Sequence, residues 1–77
     1  MTRAYILIQT EVGDAGGAVA ARIAAIKGVT RAENVTGPYD VIVQADTVDT
    51  EELNRGVLAQ IQAVDGVQRT LTCPTLS

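Results

Sequence analysis

The feature that most constrains this chain is a strand–helix–strand pattern that occurs twice, once on each side of Gly37-Pro38. Each half begins with an apolar run rich in β-branched residues, which predicts a strand, and continues with apolar residues at helical spacing. Each predicted helix is followed by a Gly-Val pair and a second strand. The predicted elements are strands at 3–9, 29–36, 41–45 and 67–73 and helices at 16–27 and 49–64.

Both predicted helices carry one apolar stripe that is suited to a core. The first stripe is Val19, Ile23 and Ile26, and the second is Leu53, Val57, Ile61 and Val64. Gly28 stands where a left-handed residue would end the first helix. Asp49 and Glu52 have the spacing of a capping box at the start of the second.

Two further predictions concern a glycine in the second helix and the repeat between the two helices. Gly56 lies inside the second helix at a cost of about 1 kcal/mol relative to Ala, which reflects either loose local packing or, as we slightly favour, a close approach to another backbone. Residues 23–26 match residues 58–61, although the second copy reaches its Gly66-Val67 pair three residues later than an ungapped match would.

The element order βαββαβ with two related halves predicts an α+β, ferredoxin-like fold in a single domain, residues 1–77. Right-handed crossovers place the first and third strands in the centre of a four-stranded antiparallel sheet. Two helices cover only one face of such a sheet. Tyr5, Leu7 and Ile42 fall on the other face, which predicts face-to-face pairing of two copies as a dimeric α/β barrel.

Composition supports an oligomer and disfavours several partners. A chain of 77 residues buries only about 60% of its surface on folding, and this one has no Phe or Trp to enlarge its core. Its net charge is −3 and its six basic residues are scattered, so we expect no binding to nucleic acid or membrane. No signal peptide or membrane span is predicted, and the lone Cys73 fits a cytoplasmic location.

The residue types also limit the chemistry. The sequence contains no His, which removes His-based catalysis and ordinary zinc or haem ligation, and no cofactor is predicted. The glycine-rich residues 13–17 lack the P-loop Lys and Ser/Thr and are predicted to be a loop.

One cluster around the central turn has two interpretations. Asn34, Gly37, Tyr39 and Asp40 form either a plain hairpin, in which Asp40 caps backbone donors, or the rim of a small polar pocket. In the pocket, a carboxylate accepts from a ligand ammonium and exposed backbone amides receive the ligand carboxylate. Thr70 and Thr72, on one face of the last strand, would add hydroxyls from a neighbouring surface. The residues alone leave both interpretations open.

The segment Val35-Thr36-Gly37-Pro38-Tyr39-Asp40-Val41-Ile42-Val43 resembles the "tGxyDxxxxv" segment of the effector-binding domain of Lrp/AsnC regulators. Residues 61–72, with Gly66-Val67 followed by Thr70-x-Thr72, resemble the end of that domain. The resemblance covers essentially the whole chain. It implies a domain that dimerises through its sheets, assembles further into rings of four to ten subunits, and binds amino acids between dimers.

Carried over, the effector site would contain Gly37, Tyr39 and Asp40, with Thr70, Thr72 and Asn34. Family transcription factors carry an N-terminal helix-turn-helix, whereas here the first strand follows Met1 at once. We therefore expect a stand-alone effector domain that acts on transcription indirectly, alone or by co-assembly with full-length relatives. The alternatives are a small dimeric α/β-barrel enzyme of monooxygenase or isomerase type, and a purely structural assembly domain.

Overall fold

The computed structural model describes residues 1–11 and 18–76, and the predicted loop at 13–17 lies outside them. The strands are β1 (Thr2–Thr10), β2 (Val29–Asn34), β3 (Val41–Thr47) and β4 (Val67–Pro74). Helix α1 spans Ala18–Ala24, and helix α2 consists of three consecutive segments, Thr50–Glu52, Leu53–Leu58 and Ala59–Gln62. The element order and the α+β, ferredoxin-like fold are confirmed.

The four strands form one antiparallel sheet in the order β2-β3-β1-β4. The predicted positions are confirmed, because the strongly apolar β1 and β3 are central and the more polar β2 and β4 are edges. β2 ends at Asn34, two residues earlier than predicted. The pairing of β1 with β4 shifts register between Gln9 and Thr10.

The core lies between the helices and one face of the sheet. It is built from aliphatic side chains only, and the largest that are fully buried are Ile6, Ile8, Ile23, Leu53, Ile61, Val19, Val41, Val43 and Val57. Both predicted helical stripes therefore face the sheet, with Ile26 and Val64 packed against the edge of the core.

Helix α2 begins as predicted. The Asp49 carboxylate accepts from the Glu52 N–H at 2.8 Å, and the Glu52 carboxylate accepts in turn from the Val48 N–H at 3.2 Å. The close approach expected at Gly56 is absent within residues 1–11 and 18–76. A Cβ added there would meet only Glu52 Cγ in this part of the chain, at 3.6 Å. Gly56 lies instead in the middle, π-helical segment, where a wider turn replaces regular α-helix.

The two halves contact each other reciprocally where their helices end. Gly28 and Gly66 follow α1 and α2 with φ of 101° and 99°. A Cβ on Gly28 would lie 2.8 Å from Val57 Cγ2 of α2, and one on Gly66 would lie 2.9 Å from Val19 Cγ2 of α1.

These contacts align Val19 with Val57 and Gly28 with Gly66, which makes Ile23 equivalent to Ile61. The match proposed from the sequence was therefore out of register by three residues, since it placed Ile23 opposite Leu58. The hydrogen bonds from Val29 N–H to Ile26 and from Val67 N–H to Val64 agree with the corrected alignment.

The face of the sheet away from the helices is open within the chain. Tyr5, Ile42 and Leu71 are 39%, 37% and 47% exposed, and Leu7 lies among them half-buried. The open face places Arg3 beside Asp46, and the guanidinium Nε donates to the carboxylate at 2.8 Å.

Candidate functional site

The candidate site is the hairpin that joins the two halves, residues 35–40 between β2 and β3. Gly37 has a φ of 137°, and a Cβ placed on it would meet no atom of the described residues within 4 Å. Glycine is needed there for the backbone conformation and not for space. The Val35 N–H donates to the Asp40 carbonyl at 2.9 Å and closes the hairpin. The predicted turn is confirmed.

Asp40 lies half-buried at the base of the hairpin. Its Oδ2 accepts from the Thr10 backbone N–H at 2.9 Å and from Thr10 Oγ1 at 3.1 Å. β3 begins at Val41, so it offers no strand carbonyl to the Thr10 N–H at the end of β1. The Asp40 carboxylate accepts that hydrogen bond instead. Asp40 thus caps a backbone donor, as the plain hairpin interpretation expected, although the donor belongs to a distant strand.

Asp40 also retains capacity for a ligand. A carboxylate has two oxygens and about four acceptor positions. Within residues 1–11 and 18–76, hydrogen bonds reach Oδ2 alone. The structural contact to Thr10 and a contact to a ligand are therefore compatible, because they use different oxygens.

Asn34 and Tyr39 complete the hairpin end of the sheet. Asn34 is the last residue of β2, pairs with Val41 and is exposed. Tyr39 is half-buried beside Asp40. The structure therefore brings together four of the predicted site residues: Asn34, Gly37, Tyr39 and Asp40.

The two predicted threonines lie apart from the hairpin. Thr70 and Thr72 pair with Ile8 and Ile6 of β1, so both face the helices, as their shared face predicted. Thr70 Oγ1 accepts from Gln62 Nε2 at 3.3 Å. Two strand spacings separate β4 from β3, which puts Thr70 about 10 Å from the start of β3. Within one chain the threonines do not share a pocket with Asp40.

Two surface clefts accompany these residues. One, of about 190 Å³, is lined by Gln62, Val67, Gln68, Arg69 and Thr70. The other, of about 490 Å³, is shallow and lies at the start of α2. Of the predicted site residues, all of which lie in the described ranges, Thr70 alone lines either cleft. A ligand at the hairpin would therefore need a further surface to enclose it.

The electrostatics of the described residues are simple. The hydrogen bond from Arg3 lowers the pKa of the Asp46 carboxyl and raises that of the guanidinium, at an exposed position on the open face. No group of three or more metal-ligating side chains occurs in residues 1–11 and 18–76. In the same residues, no helix is long and apolar enough to cross a membrane.

Gln9 and Thr10 were not predicted as part of the site. Gln9 Nε2 donates to the Pro38 carbonyl at 2.9 Å, beside the Thr10 contacts to Asp40. These residues are about thirty positions away from the hairpin in sequence. No local pattern identifies them, because the contact depends on the pairing of β1 with β3.

A family model of the Lrp/AsnC ligand binding domain matches residues 3–77. The chain belongs to this family. The Lrp/AsnC resemblance of the hairpin segment and of the end of the domain is thereby confirmed over nearly the whole sequence.

Solved structures agree with this assignment. TTHA0845 from Thermus thermophilus is 34% identical with a TM-score of 0.89, and the match covers 100% of this chain and 95% of that one. The transcriptional regulator NMB0573 of Neisseria meningitidis, solved as an L-Met complex, is 25% identical with a TM-score of 0.84. That match covers 99% of this chain and 50% of the regulator.

Among curated proteins, a homocitrate synthase of Sulfolobus acidocaldarius is 41% identical over 54 residues. The match covers 70% of this chain and 11% of the synthase. The chain therefore spans about a tenth of the length of the curated relatives it matches. The Lrp/AsnC domain thus resembles part of an enzyme as well as part of a transcriptional regulator.

Proposed function

We propose that this chain is a non-catalytic effector-binding module that recognises a small amino acid at the hairpin of residues 35–40. The observation that carries the proposal is the hairpin itself. In a chain matched by an Lrp/AsnC ligand binding model, it presents the family's Gly37, Tyr39 and Asp40 with one carboxylate oxygen uncommitted among the described residues. An aspartate of this kind is suited to an ammonium, and backbone amides of the hairpin are suited to a carboxylate.

The ligand is enclosed by a second copy of the chain. The apolar open face carries Tyr5, Leu7, Ile42 and Leu71, and burying it between two sheets gives a dimer. Further contacts between dimers, in an assembly of four to ten subunits, bring Thr70 and Thr72 of one copy to the hairpin of another. This arrangement accounts for the distance between the two parts of the site within one chain.

The output of the module is regulation of a larger protein. The family relationship to regulators such as NMB0573 supports an indirect effect on transcription, through co-assembly with full-length relatives in the cytoplasm. The scattered basic residues of this chain offer no surface for nucleic acid.

The test is calorimetric titration and thermal unfolding with the common amino acids at millimolar concentration, with L-methionine as the first probe. A ligand at about 100 times its Kd stabilises the folded state by about 2.7 kcal/mol, which raises Tm by about 10–20 °C for a chain of this size. No heat and no shift with any amino acid would leave an assembly domain as the function.

Asp40→Asn is a sharper variant than Asp40→Ala. The amide oxygen still accepts from Thr10, so the hairpin keeps its anchor, while the negative charge is lost. Loss of a charge-assisted hydrogen bond to an ammonium weakens binding by about 1.5–3 kcal/mol, which is at least tenfold. Glu33→Gln, an exposed carboxylate on β2, is the matched control.

A second candidate ligand follows from the 41% identity to a homocitrate synthase segment. In this alternative the module senses a polycarboxylate such as homocitrate and regulates an enzyme. Asp40 would then repel the ligand, so Asp40→Asn would tighten binding. Titration of homocitrate into both proteins distinguishes the candidates by the direction of the change.

A further inference from the structure

The end of β1 is bound to the hairpin at three consecutive residues. The Ile8 carbonyl accepts from the Asp40 N–H at 2.8 Å, Gln9 Nε2 donates to the Pro38 carbonyl at 2.9 Å, and Thr10 donates twice to Asp40 Oδ2. The register shift between β1 and β4 falls between Gln9 and Thr10. The extra residue at this shift, Gln68, lies on β4, so β1 itself is continuous through Gln9 and Thr10.

We propose that Gln9 and Thr10 are positioning residues for the effector, which act through Pro38 and Asp40 without touching the ligand. The inference rests on the proposed function of the hairpin. It extends that function by assigning which atoms of the hairpin meet the two charged groups of an α-amino acid.

Thr10 fixes the orientation of the Asp40 carboxylate. It holds Oδ2 of Asp40 with two donors, which fixes the side-chain rotamer before a ligand arrives. Oδ1 receives no hydrogen bond from residues 1–11 and 18–76, so it is the oxygen offered to the ligand ammonium.

Gln9 fixes the orientation of the peptide group between Pro38 and Tyr39. In a trans peptide the C=O of one residue and the N–H of the next point in opposite directions. The Pro38 carbonyl is directed to Gln9 on β1, and the described residues contain no cis peptide bond. The Tyr39 N–H is therefore directed away from β1, where it serves as the donor for the ligand carboxylate.

Both contacts are made in the free protein, so the site is arranged before binding. Immobilising a side chain on binding costs about 0.5–1.5 kcal/mol, which corresponds to a two- to tenfold change in affinity. If either hydrogen bond is removed, the side chain or backbone group must be immobilised when the ligand binds. The affinity for the ligand then falls about two- to tenfold.

The experiment is titration of L-methionine, and of each common amino acid, into the whole chain and its variants. Thr10→Val removes only the hydroxyl, and Gln9→Met removes the amide donor at a half-buried position. Each weakens the best ligand about three- to tenfold, whereas Thr10→Ser restores wild-type affinity. The matched control is Thr30→Val, which deletes the hydroxyl hydrogen bond to the Gln44 carbonyl far from the hairpin and leaves affinity unchanged.

A double-mutant comparison tests whether Thr10 acts on affinity through Asp40. In an Asp40→Ala background, Thr10→Val has no further effect on affinity, because there is no carboxylate to position. An equal loss in both backgrounds overturns the proposal, as does wild-type affinity in both Thr10→Val and Gln9→Met. Gln9→Met decides the matter if Thr10→Val does not fold. If the wild-type chain binds no amino acid, the proposed function fails and this inference fails with it.

Discussion

The reciprocal contacts at the helix ends make Gly28→Ala the most informative test of the fold. Gly28 has a φ of 101°, where an L-residue costs about 1–2 kcal/mol. The new Cβ also lies 2.8 Å from Val57 Cγ2. Val57 is buried and β-branched, so it cannot rotate away, and overpacking of this kind costs about 1–3 kcal/mol.

Part of this penalty is offset, because Ala lowers the entropy of the unfolded chain by about 0.4–1 kcal/mol relative to Gly. The expected net loss is about 2–4 kcal/mol. A chain of this length has a total stability of about 4–12 kcal/mol, so the variant unfolds at a Tm at least about 10 °C lower.

Urea unfolding followed by far-UV circular dichroism, at one fixed protein concentration, measures the loss. Gly56→Ala is the matched control, since its Cβ meets only Glu52 Cγ at 3.6 Å, and it should stabilise by about 0.5–1 kcal/mol. In a Val57→Ala background, Gly28→Ala should cost only the backbone conformation less the same unfolded-state offset, about 0–1.6 kcal/mol. A loss below about 1 kcal/mol, or the same loss in both backgrounds, would refute the steric argument.

Three further outcomes are expected. Leu71→Asp on the open face should convert dimers to monomers in sedimentation velocity, whereas Val48→Asp, at an exposed site elsewhere, should not. Asp49→Ala should lower the free energy of unfolding by about 1 kcal/mol, measured in urea, because it removes the α2 cap. Arg3 lowers the Asp46 pKa below 3.8, so the pair stabilises the folded state above that pH and the contribution disappears as pH falls through the lowered pKa. Asp46→Asn should therefore be less stable than wild type at pH 7, and the difference should shrink as pH falls through the lowered pKa.

Much of the fold was predictable because its signals are local. The stripe from Leu53 to Ile61 and the capping residue Asp49 are read within one or two helical turns. The order of the strands followed from their polarity, since β1 and β3 carry the apolar runs. Gly28 was correctly predicted to have a left-handed backbone, with a φ of 101°, although α1 ends at Ala24, three residues earlier than predicted.

The features that sequence reasoning missed depend on contacts between distant segments. The role of Thr10 requires knowing that β1 ends beside Asp40. The Arg3–Asp46 pair requires the register of two strands. Gly56 was misinterpreted because the sequence alone does not distinguish a glycine that another backbone approaches from one in a locally widened turn of the helix. Thr70 and Thr72 were placed on the right face, but within one chain β1 separates them from the hairpin.

The Gly28–Val57 and Gly66–Val19 contacts have a consequence for the origin of such a domain. Each half supplies the glycine that the valine of the other half packs against, at the same separation within both halves. A chain of half this length could make both contacts only by pairing with a copy of itself. The arrangement is the one expected of two half-length copies joined at Gly37-Pro38, with the candidate effector hairpin at the junction.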